Sequence, residues 1–174
     1  MLNDAETAAV RLLGDRLAIR DTVHRYCRGI DRHDVEMIDS VFFADGVDNH
    51  GDVLCYRHEF AAWGNQLHEN GSSAHGHNIT TQLIELDGDQ AAAESYVLFI
   101  LKRKDGKTVH IGGARYLDRL ERRGGSWRIV LRRAVMEWRC DVAQERASAR
   151  LAALPAGTWD RGDASYPLLN ETNP

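Results

Sequence analysis

The sequence predicts an α+β fold, a cone-shaped half-barrel in which a curved antiparallel sheet wraps around N-terminal helices. Three observations point there. Apolar residues in the first third recur at helical spacing. After residue 74 the chain becomes rich in β-branched and aromatic residues, in long runs divided by compact glycine turns. Helical segments also come first and strand-like segments after, the order of an α+β architecture.

The elements follow in chain order. Ile19, Val23, Tyr26, Cys27 and Ile30 stand at i, i+4, i+7, i+8 and i+11, one apolar stripe, with Arg20, Asp21, Arg25 and Arg28 on the other face. Asp34 reads as the N-cap of a second helix with Val35, Ile38, Val41 and Phe42 as its stripe, stopped by "ADG" at 44–46. "VDNHGDVLCY" reads as a short hairpin turning near Gly51, and "RHEFAAWGNQLHEN" as a third helix ended by Gly71. "HNITTQLIEL", "AAAESYVLFILKRK", "TVHIGGARYLDRLERR" and "SWRIVLRRAVMEWRC" form a four-stranded meander. "DGDQ", "KDGK" and "RGGS" are its turns. Gly112 and Gly113 lie mid-strand, where a bulge would bend the sheet. Residues 142–174 combine a helical stretch, "VAQERASARLAAL", with a tail carrying Leu151, Leu154, Trp159, Tyr166, Leu168 and Leu169. A tail this apolar is expected to pack over the cone mouth or on a neighbouring subunit.

A chain of 174 residues is expected to form one domain, 1–174, with its core at about 15–141. The net charge of −4 and the absence of a basic, aromatic-rich patch give no support to nucleic-acid binding. No apolar run is long enough to span a bilayer, and the start lacks a signal-peptide core. Cys27, Cys55 and Cys140 are widely spaced with no CxxC, the pattern of a reduced, cytoplasmic protein.

The chemistry centres on "AHGHN", residues 74–78. On a strand His75 and His77 share a face, a pair able to hold a metal, hold a proton or decorate an edge. A metal site needs a third ligand, yet the nearest acid on the strand, Glu85, is about 26 Å further along an extended chain. Asp48 or His50 from the hairpin are the other ligands within reason. No GxSxG, helix-start cysteine or phosphate-binding glycine loop is present. A histidine base remains, and it needs a carboxylate to fix its tautomer and stabilise the imidazolium. Asp31 is the candidate, one residue beyond the apolar stripe, where it reads either as a cap for the next turn or as a pocket acid. Tyr26, five residues earlier, is either core or a hydroxyl in the pocket. On the last strand Trp127, Ile129, Leu131, Arg133 and Val135 share one face, so Arg133 rather than Arg132 is expected to point inward.

"AIRDTVHRYCRGIDRHDVEMIDSVFFADG", "HGHNITTQLIEL" and "YLDRLERRGGSWRIVLRR" together resemble the SnoaL-like branch of the nuclear transport factor 2 superfamily over residues 15–141. Within it the chain is similar to scytalone dehydratase, hexachlorocyclohexane dehydrochlorinase and the bile-acid 7α-dehydratases. The resemblance implies a cone-shaped barrel, a homotrimer and a catalytic Asp–His dyad without metal or organic cofactor. Carried over, it implies Asp31 and His77 as the dyad, Tyr26 as an assisting hydroxyl, and Arg133 as a last-strand arginine. His75 has no assured counterpart. The expected function is a dehydratase-like lyase that takes a proton from a hydrophobic cyclic or aromatic small molecule and releases water, halide or formaldehyde, or else isomerises it. The alternative is a non-catalytic binding or assembly module, such as a ring-hydroxylating dioxygenase small subunit.

Overall fold

The computed structural model describes residues 2–145 and 149–167. Helix α1 (Asp4–Asp31) opens on a capping box in which Asn3 and Glu6 satisfy each other's backbone N–H groups. Its C-terminal half buries Ile19, Val23, Tyr26, Cys27 and Ile30, the predicted stripe. Asp34 caps α2 (Val35–Ser40) by accepting from the Met37 N–H. Helix α2 ends before the sequence suggests, because Phe42 already opens strand β1 (Phe42–His50) and "ADG" lies inside that strand. Strand β2 (Val53–Tyr56) folds back on β1, and α3 (Arg57–Gly71) follows.

The remaining strands are β3 (Ser72–Asp87), β4 (Gln90–Arg103), β5 (Thr108–Arg123) and β6 (Ser126–Ala143), an antiparallel meander. Two-residue turns close two of its hairpins. Gly124 and Gly125 both have positive φ, as a turn that matches the twist of its strands requires. The sheet order is β2-β1-β6-β5-β4-β3, and β1 joins β6 in parallel, a pairing the local pattern gave no hint of. The sheet therefore has six strands and does not close. The helices pack on its inner face around Tyr26, Phe42, Phe60, Phe99, Leu120 and Ile129. No helix is long and apolar enough to cross a membrane among the described residues.

Two bulges in β6 decide which residues reach that interior. Leu120 pairs with Ile129 and Arg119 with Leu131, so Val130 is an extra residue. A second extra residue, Glu137, sits between the pairs Gly113–Trp138 and Ala114–Met136. Each insertion reverses the inward face downstream of it. The glycines opposite make room for rings: a Cβ on Gly112 would stand 2.2 Å from Phe99, and one on Gly113 2.4 Å from Trp138.

Among the described residues beyond β6, α4 (Ala149–Ala152) is the one helix, and Val142 and Ala143 of the expected helix belong to the strand. The tail lies on the α1–α2 turn: Trp159 stacks on His33 at 4.2 Å, Arg32 pairs with Asp163, and the Tyr166 hydroxyl donates to Asp34. Leu154 is exposed; Leu168, Leu169 and the Leu151 side chain lie outside the description.

Candidate active site

Between the concave sheet and α3 lies a cavity of about 300 Å³. Its walls are mostly apolar, with Ile30, Phe60, Trp63, Phe99, Leu101 and Ala134 among them, and its polar groups are Tyr26, Tyr116, His50, His68 and His77. That mixture, an apolar cavity with a few converging polar groups, is typical of small-molecule sites.

His77 is fixed at two points by the last residue of α1. The His77 backbone N–H donates to Asp31 Oδ2 at 2.9 Å, and its ring Nδ1 lies 2.7 Å from Asp31 Oδ1. A carboxylate accepts, so Nδ1 carries the hydrogen and Nε2 keeps its lone pair. Asp31 is therefore spent on His77, while Asp34 supplies the cap for α2. Both His77 and Asp31 are largely buried, which strengthens the pairing.

His75 has a different place. Its side chain is fully buried, and its Nε2 donates to the Ile30 carbonyl in the last turn of α1, which also accepts the His33 backbone N–H. Its ring lies in a stack with His68 at 4.0 Å and His33 at 5.3 Å. Burial lowers the His75 pKa to about 4, and burial with the neighbouring histidines lowers His68 to about 2. Both are neutral at ordinary pH. No group of three or more metal-binding side chains is assembled among the described residues.

Tyr26 lies at the cavity's inner end against Phe60 and Tyr116, with the Arg132 guanidinium 3.9 Å above its ring. Burial, and after it the charge of Asp48, pushes the Tyr26 hydroxyl well above its ordinary value, so it keeps its proton. The inward arginine is Arg132 and not Arg133, a correction to the expected alternation. The extra residue Val130 rotates Arg132 to the inside, where it is completely buried, and leaves Arg133 exposed on the outer face. Arg132 holds Asp118 with two parallel bonds, from Nε at 2.7 Å and Nη2 at 2.6 Å. Burial works against its charge, but the Asp118 carboxylate offsets this and holds the guanidinium well above its ordinary value. Arg132 supports Tyr26 and Tyr116 from behind without lining the cavity.

From the sequence, Asp48 and His50 stand out only as metal ligands. Both face inward from β1, Asp48 is almost wholly buried, and His50 Nδ1 bonds Asp48 Oδ1. The signal was present in the D-x-H spacing of "VDNHGD", which puts the two on one strand face. His68 carried no such signal, because only packing brings α3 over β3.

Solved structures share this shape. LinA-type3, a hexachlorocyclohexane dehydrochlorinase from Novosphingobium barchaimii, superposes with a TM-score of 0.73 at 20% identity, over 80% of this chain and 98% of that one. A putative scytalone dehydratase from Novosphingobium aromaticivorans gives 0.67 at 18% identity, over 78% and 92%. A Mycobacterium tuberculosis protein of unknown function gives 0.63 at 29% identity, over 71% and 76%. No curated protein matches this sequence. The model of the SnoaL-like domain matches residues 11–133, and with the cone, the unclosed sheet and the helices on its inner face, the chain belongs to the SnoaL-like family of the nuclear transport factor 2 superfamily.

Proposed function

We propose that the protein is a dehydratase-like lyase in which His77, oriented by Asp31, removes a proton from carbon on a small, mostly apolar ring compound. The observation that carries this is the two-point grip of Asp31 on His77, which leaves one imidazole lone pair beside an apolar cavity. The walls are mostly apolar and both side chains largely buried, so the developing imidazolium depends on Asp31, and loss of that support in a comparable triad costs about 10⁴-fold. Tyr26, kept protonated, donates to the oxyanion that forms as the proton leaves. The base is an imidazole, so no metal or organic cofactor is required in this reading. The names of the dehydrochlorinase and dehydratase neighbours agree with proton abstraction and elimination. The working form is a homotrimer of cytoplasmic protein.

The test is a panel of hydroxylated and halogenated cyclic ketones in D₂O with a chelator present, followed by NMR for deuterium uptake and by absorbance for elimination. Uptake or elimination by the wild-type protein, lost in His77→Ala, supports the lyase. Tight binding of ring compounds with neither exchange nor elimination would return the site to a binding module.

A further inference from the structure

We infer that His50, paired with Asp48, is a second proton-transfer group of the same cavity, the acid that protonates the departing oxygen, and that the substrate is therefore a ring compound losing a hydroxyl rather than a halide. This rests on the lyase reading above and adds the leaving group to it.

Asp48 on β1 pairs with Arg132 on β6, and Arg132 pairs with Asp118 on β5. The three form one inward row, with two carboxylates and one guanidinium, all buried. Arg132 spends Nε and Nη2 on Asp118. Among the described residues, Asp48 has His50 Nδ1 on Oδ1 and no hydrogen-bond partner on Oδ2. The row alone thus carries one excess negative charge in a place where an uncompensated charge is costly. A proton on His50 makes the group neutral, as two buried ion pairs; Asp31 needs no such proton on His77, because it is 16% exposed and its second oxygen accepts the His77 backbone N–H, whereas Asp48 is 1% exposed.

His50 is also aimed at the right space. With Nδ1 on Asp48, its Nε2 is the free atom, the same arrangement as His77 on Asp31. Both rings line the cavity, each against a different turn of α3. His50 packs against Trp63 at 5.5 Å and His77 against His68 at 5.4 Å. Those α3 residues are five apart, about 7.5 Å of helix rise. The cavity they share, about 300 Å³, has the volume for a small ring.

The step balances as follows. His77 Nε2 takes the proton from carbon, and that C–H pair becomes the new C=C bond. The C–O bond breaks with its electron pair going to oxygen, which takes the proton from His50 Nε2 and leaves as water. His77 ends protonated and His50 neutral, and exchange with solvent restores both. A halide departs as a stable anion and needs no such proton, so a resident acid marks an oxygen leaving group.

The experiment compares 3-hydroxycyclohexanone with 3-acetoxycyclohexanone, which give the same enone but differ in whether the leaving group needs a proton. In wild-type protein the hydroxyl compound should lag the acetate far less than in the hydroxide-catalysed reaction in water. In His50→Gln, and in His50→Asn as a second variant, the hydroxyl-to-acetate rate ratio should fall by at least about 100-fold, the lower span of general-acid catalysis. His77→Ala should slow both compounds alike. An unchanged ratio in either variant, with its fold checked by circular dichroism, overturns the inference, as does a wild-type ratio no better than that in water. Wild-type elimination of acetate alone leaves the lyase standing and removes the acid. Neither elimination nor C2 deuterium exchange by the wild type on either compound removes both.

Discussion

Asp31 makes two hydrogen bonds that only a side chain with two acceptors, one of them facing an imidazole N–H, sustains together. An Asn there keeps one acceptor, for the backbone N–H of His77, and turns its amide donor toward Nδ1, favouring the wrong tautomer. Asp31→Asn should therefore keep stability within about 1 kcal/mol and slow turnover by at least about 100-fold. The double variant with His77→Ala should be little slower than His77→Ala alone, because the two act as a unit. Equal activity of Asp31→Asn and wild type, measured as initial rates on the ring-compound panel, would remove the dyad. Arg132 poses the opposite case. It is buried, paired and away from the cavity, so Arg132→Met strands the Asp118 charge and should cost about 3–5 kcal/mol in denaturant unfolding. Loss of less than about 1 kcal/mol would show that the ion pair does not hold this end of the barrel. Asp31 and His77 were legible in the sequence because a helix end and an alternating strand place them. Arg132 was not, because one inserted residue in β6 changes its face without any change in composition.

Among the elements, the contact between α3 and β3 is one that local patterns could not anticipate. Its centre is the stack of His68 from α3 on His75 from β3, with His33 of the α1–α2 turn and Trp159 of the tail beside it. The lowered pKa values, about 2 for His68 and about 4 for His75, mean that the folded protein keeps both rings neutral. The unfolded chain protonates them near the ordinary value of about 6.5. Below that pH the unfolded state binds more protons, so stability falls with falling pH. The stabilisation is complete above about 6.5. The part owed to His75 is exhausted near pH 4, while His68 keeps contributing to the slope below it. The urea midpoint should thus drop steadily between pH 6.5 and 4, and His68→Leu should flatten part of that slope. A midpoint that stays level over this range would mean that the stack accepts protons in place. The helices and the meander were legible because periodicity and turn glycines are local. The parallel joining of β1 to β6 was not, since it is decided by which edge the β1–β2 hairpin covers after the sheet has curved.

Across the whole molecule, the apolar surface is divided unevenly. The concave face is covered by helices, whereas the outer face of the sheet shows Leu83, Tyr96, Ile100 and Trp138, each at least 39% exposed. These come from β3, β4 and β6 and sit beside the charged group Glu94, Arg115 and Glu137, in which Arg115 bonds both carboxylates. A lone monomer has no use for so many large apolar residues on one sheet face, while a subunit interface commonly combines aromatic residues with arginine. The homotrimer we propose places this face at the contact between copies. Trp138 is the best probe, because its ring packs over Gly113 and cannot swing inward. The wild-type protein should elute with a light-scattering mass about three times that of the 19.6 kDa chain. Trp138→Glu, which puts a charge into that contact without touching the cavity, should give a smaller species of unchanged circular dichroism. A monomeric wild type would refute the assembly. A trimer that survives Trp138→Glu together with Tyr96→Glu would instead move the contact to another face, with the exposed Val10, Leu13 and Leu17 of the first half of α1 the next apolar surface to probe.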